Sequence, residues 1–127
     1  MREVLVPVSV GELIDKITIL EIKAERIRNP AQIANIELEL AALRSAADAL
    51  DRSALAQPAA ALKDTTAQLW GVEDDIRECE ARSDFGAQFV ALARTVYRLN
   101  DERVRLKRVI NEISGSRYVE EKSYKGM

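Results

Sequence analysis

"SVGELIDKITILEIKAERI", residues 9–27, opens with a helix start and carries apolar side chains on two sides. Ser9 can accept a hydrogen bond from the N–H three residues on while Glu12 reaches back, a capping box. Val10, Leu13, Ile17, Leu20, Ala24 and Ile27 then recur in steps of three and four, one face of an amphipathic helix. At about 100° per residue, Ile19 and Ile22 fall on the opposite face, beside Asp15, Thr18 and Arg26. A helix apolar on two faces is normally buried on two faces. The cover is expected from a second subunit or from the chain ends. Of these a homodimer through Asp15, Ile19 and Ile22 is the favoured expectation.

The same periodicity continues outward from this helix. Asn29 caps and Pro30 starts a second helix with stripe Ile33, Ile36, Leu40, Leu43, Ala47, Leu50. "DRSALAQP", residues 51–58, weakens the pattern and reads as a connection, with a third helix starting near Pro58 and continuing as Leu62, Thr65, Leu69, Val72, Ile76, Cys79. "ARSDFG", residues 81–86, is a turn in which Ser83 or Asp84 can cap a fourth helix. That helix carries Phe85, Phe89, Leu92, Val96, Leu99, Arg103, Leu106, Ile110 and Ile113 and ends at Gly115.

The spacing therefore predicts helices over 9–28, 30–50, 58–82 and 84–114. It describes an all-α protein, an antiparallel bundle of three or four long helices with coiled-coil-like packing. One domain spans 1–127, with 1–8 and 116–127 as extended or flexible ends. "EVLVPVSV", residues 3–10, is β-branched enough to suggest a short strand. Helix four, at roughly 45 Å, outruns helix one at roughly 30 Å, so its excess must project, bend or pack on another chain. Gly71 is a candidate bend.

Composition narrows the function classes. The 127 residues are 47% hydrophobic and 31% charged with a net charge of −2, a soluble globular balance that does not favour nucleic acid or an anionic membrane. One cysteine allows no internal disulfide, no run is long enough to span a membrane, and the start does not read as a signal peptide, which together predict a cytoplasmic protein. There is no histidine, which excludes histidine-based acid–base and nucleophile systems, and neither GxxxxGK[ST] nor GxGxxG occurs. No cofactor and no metal are expected. A carboxylate-only magnesium site in "VEDDIRECE", residues 72–80, is open, but the acids spread around the helix and read as a solvated face.

Five residues are candidates for a ligand site. Arg103 interrupts the apolar stripe of helix four between Leu99 and Leu106, and a buried guanidinium needs a partner. Asp101, Asp15 and Glu73 are equally open as that partner. Asn100 and Lys107 lie within a turn or so of Arg103, and with it they can line a pocket for an anionic small molecule, as Arg26 and Arg77 can. Trp70, Asp74 and Arg77 share a face. Arg94, Arg98, Arg105 and Arg108 run along one side of helix four, either a docking stripe or a solvent face offset by acids of helix three. Cys79, in an apolar stripe, reads as a small core residue.

"VSVGELIDKITILEIKAERI", "LWGVEDDIRECE", "VYRLNDERVRLKRVIN" and the closing "EEKSY" resemble a bacterial family of short proteins of unknown function. The resemblance covers nearly the whole chain outside residues 50–65 and implies no activity or site. "ELIDKITILEIKAERI" is also similar to the first helix of the all-helical chorismate mutases, which clamp a dicarboxylate between arginines and a lysine. That similarity would give Arg26 the first-helix role and a second to Arg44 or Arg103. The second-helix lysine is missing, since "PAQIANIELELAALR" contains none. Helical nucleotide pyrophosphohydrolases are excluded by the lack of any ExxE.

Two functions follow. The first is a small homo-oligomeric interaction or scaffold protein. The alternative is a small helical enzyme or ligand-binding protein with an arginine-lined pocket for an anionic metabolite.

Overall fold

A computed structural model describes residues 2–126. It contains α1 (Val10–Arg26), α2 (Pro30–Ala46) with a following 3-10 turn (Ala47–Ala49), α3 (Arg52–Ala81) and α4 (Ala87–Ser114), and no strand among the described residues. The chain is all-α, as its periodicity predicts. Among the described residues no helix is long and apolar enough to cross a membrane.

Local chemistry sets most of the boundaries. Ser9 accepts from the Glu12 N–H at 3.1 Å, and Asn29 accepts from both Ala31 and Gln32 with Pro30 in the first turn. Gly115, at φ 66°, takes the left-handed conformation that closes α4. Two expectations need correction. Helix three does not wait for Pro58: Asp51 caps it by accepting from the Ala54 N–H at 3.2 Å, and Pro58 lies buried inside the helix. The aspartate cap, with the packing of the first turns, outweighs a proline cost of about 3 kcal/mol in a helix interior. Helix four starts at Ala87 rather than 84, because Asp84 turns its carboxylate onto the Gly86 N–H and Ser83 adopts φ 53°, which keeps Phe85 in the turn. α3 runs through Gly71 unbroken.

α1 is the centre of the molecule. It packs on all three other helices, while α2 rests mainly on α1 and α3 pairs with α4. Ile14, Ile17 and Leu20 of α1 join Ile36 and Leu40 of α2, Leu55 and Leu62 of α3, and Leu106 and Ile110 of α4 in one core. Ile22 is buried outside that cluster at 1% exposure, and Ile19 lines a cleft with Thr66, Leu69 and Trp70 of α3. On the second face of α1, Ile22 is thus covered within one chain, while Ile19 stays partly exposed in its cleft. Residues 2–8 form neither helix nor strand and are exposed.

The two long helices account for the length mismatch. α1 runs antiparallel to α4, since Gly11 bonds Asn111 and Asp15 bonds Arg103. It ends at Arg26, whose guanidinium stacks 5.7 Å from the Trp70 ring centroid. α3 continues for eleven residues beyond that level, roughly 16 Å, and α4 returns beside it. The excess of helix four projects, paired with an equal excess of α3.

Candidate functional site

The start of α1, the end of α4 and the C-terminal tail converge in one region. A helix start leaves its first N–H groups without intrahelical acceptors. Here each finds a side chain: Val10 donates to Ser116 Oγ at 3.1 Å, Gly11 to Asn111 Oδ1 at 2.7 Å and Glu12 to Ser9 Oγ at 3.1 Å. Gly11 lets α4 approach closely, because a Cβ at that position would stand 2.5 Å from the Lys107 carbonyl oxygen.

One turn on, Asp15 is 3% exposed and accepts from Arg103 Nη2 at 3.0 and 2.8 Å through its two oxygens. Arg103 Nη1 donates to Asn100 Oδ1 at 3.1 Å, while Nε is buried without a partner among the described residues. Of the three acids open as partners, Asp15 is the one used, and the pair explains why an arginine can stand in an apolar stripe.

Lys107 is buried a turn further along and donates to Glu120 of the tail at 2.6 Å, with Glu12 at 3.5 Å. Burial works against ionisation of Glu120. The hydrogen bond and charge of Lys107, with Lys122 behind them, prevail and hold its carboxyl below the usual 4.5. The tail, expected as an extended or flexible end, is tied down at Ser116 and Glu120.

The five ligand-site candidates do not form one pocket. Asn100, Arg103 and Lys107 share the α1–α4 interface, each held by groups of the same chain. Arg26 lies at the far end of α1 on Trp70, and Arg77 pairs with Glu73 at 2.6 Å on an exposed face. Arg44 pairs with Glu21 at 2.9 Å, so the arginine clamp that the chorismate mutase similarity implies is not assembled. Asp15 and Ile22, expected at a subunit interface, are interior residues of the single chain. Cys79 is fully buried. No three cysteine or carboxylate side chains among the described residues converge where a metal ion could be held.

Sequence reasoning misses Gly11, Ser116 and Glu120. The glycine has a signal, since a glycine in the first turn of a helix otherwise strong in helix formers calls for a close approach. The tail residues have none, because their partners are 13 and 106 positions away.

Fold and site define a small all-α bundle protein in which a central helix is pinned to the last one by a buried aspartate–arginine pair. Residues 4–127 match the family of unknown function DUF6165, and the chain belongs to that family. No curated protein and no solved structure matches the chain.

Proposed function

We propose that the chain is a small interaction or scaffold protein that works by binding protein rather than by catalysis. The observation that carries this reading is that Arg103, the cation around which an anion pocket is expected, is held by the carboxylate of Asp15. Lys107 on Glu120 and Arg77 on Glu73 follow the same rule, while Arg26 stacks on Trp70. At Arg103 an anionic metabolite would have to displace a buried intramolecular partner, leaving an uncompensated carboxylate behind. Uncovered apolar side chains are found elsewhere, at the tip of the α3–α4 hairpin and on the N-terminal segment.

Thermal unfolding with added phosphate, citrate and a small dicarboxylate tests the reading, because a ligand that binds the folded state must raise the Tm. The expected result is no change beyond that given by chloride at equal ionic strength. A saturable rise that Arg103→Leu abolishes would overturn it in favour of the arginine-lined pocket.

A further inference from the structure

We infer that the projecting hairpin, residues 70–99, is the surface on which a second copy of this chain docks, two hairpins packing face to face with their tips at the same end into a four-helix bundle. The inference rests on the interaction reading above and gives it a site and an occupant.

Beyond the end of α1 the hairpin is held mainly by α3 on α4, with the C-terminal tail alongside at its base, where Lys122 and Tyr124 share a cleft with Val96 and Tyr97. A pair of helices buries the seam between them and leaves the flanks of both stripes open. Phe85 and Phe89 meet edge to face with centroids 5.4 Å apart, yet Phe85 remains 54% exposed. Val90 and Tyr97, two turns apart on α4, are 52% and 53% exposed. Apolar side chains gathered on one projecting element, rather than scattered singly, mark an interaction surface.

Charge identifies the occupant. Residues 72–81 of α3 hold five carboxylates and one arginine, a net charge of −4, while residues 87–98 of α4 hold two arginines and no acid. These opposite runs lie on adjacent helices and still do not neutralise each other. Among the described residues of the hairpin the one ion pair joins Arg77 to Glu73 within α3. Asp74 and Glu78, a turn apart, have no ion-pair partner among the described residues, and neither do Arg94 and Arg98, also a turn apart. All four arginines of the stripe are exposed, and none pairs with an acid of α3 among the described residues.

A twofold axis along the hairpin sets α4 of one copy against α3 of the other, and repeats the contact by symmetry. Each unpaired acidic run then faces an unpaired basic run, with the open apolar flanks between them. Packing α3 on α3 would oppose like charges, so the charge pattern selects one arrangement.

Sedimentation of the whole chain from about 1 to 100 µM, at low and high salt, tests the inference. A concentration-dependent dimer that weakens severalfold in high salt is expected. The double variants Arg94→Glu/Arg98→Glu and Asp74→Lys/Glu78→Lys should each be folded monomers by circular dichroism, and mixing them should restore a heterodimer. A wild-type chain monomeric throughout the range overturns the inference. So does a pair of monomeric variants that fail to recombine. A dimer that both variants retain overturns the hairpin as the site while leaving the interaction reading intact, which the anion titration judges separately.

Discussion

Asp15 and Arg103 are 88 positions apart in the sequence, and a single guanidinium nitrogen bridges both oxygens of the carboxylate at 3.0 and 2.8 Å. The carboxylate is almost fully buried and the guanidinium keeps a small window on solvent. The pair clamps the first half of α1 to α4 and fixes the register of the two helices.

Arg103→Leu completes the apolar stripe of α4 but strands Asp15 in the interior. Removing one partner of a buried pair costs about 3–5 kcal/mol, whereas replacing both by apolar groups of similar volume is often neutral or stabilising. Urea unfolding should therefore show a large loss for Arg103→Leu and recovery in Asp15→Leu/Arg103→Leu. A single variant as stable as the parent would reject the clamp.

Two glycines should respond in opposite directions. At Gly11 an added methyl would stand 2.5 Å from the Lys107 carbonyl, backbone that cannot swing aside, so Gly11→Ala should cost about 1–3 kcal/mol despite better helix propensity. At Gly71 a Cβ would meet nothing within 4 Å, so Gly71→Ala should stabilise by about 0.5–1 kcal/mol. Thermal denaturation of the two variants side by side reads both signs.

How far the sequence carries follows from these residues. Ile17 and Leu20 of the α1 stripe, Leu106 and Ile110 of the α4 stripe, the Ser9 and Asn29 caps and the Gly115 stop lie where the spacing predicts them, while Phe85 and Ile113 at the ends of the α4 stripe are half exposed. The start of α3 misleads because Pro58 is a strong local signal and Asp51 a quieter one that nonetheless forms the cap. The second face of α1 is legible but its cover is not, since periodicity shows that a face is buried and is silent on what buries it. Arg103 stands out as a break in a stripe. Its partner stays open because three acids satisfy the same local logic, and only the antiparallel pairing of α1 with α4 singles out Asp15.

The tail should detach in acid. Glu120 has its pKa lowered in the folded chain, so its contribution is full above the unfolded value near 4.5 and is lost as the pH falls through the lower folded value. Hydrogen exchange of residues 116–126 should accelerate across that acid window while the helices remain protected. Glu120→Gln should show the faster exchange already at neutral pH, and equal tail protection in the parent above and below that window would refute the assignment.

The final prediction separates interior from interface on α1. Ile22 stands on the face opposite the main apolar stripe, where an unpaired helix would offer it to a second subunit. The chain's own helices bury it to 1% exposure instead, while Ile19 on the same face keeps partial contact with solvent beside Trp70. Truncating a buried isoleucine loses its transfer free energy and leaves a cavity, together about 2–5 kcal/mol. Ile22→Ala should therefore lower the unfolding free energy by that amount, and Ile19→Ala by clearly less, because less of its side chain is removed from water. The Ile22 change should not alter the association state of the folded chain by sedimentation, since that side chain is interior. If Ile22→Ala left stability unchanged and shifted a dimer toward monomer, the second face of α1 would be an intersubunit surface after all. α1 would then lie at a subunit boundary and not at the centre of a single-chain core.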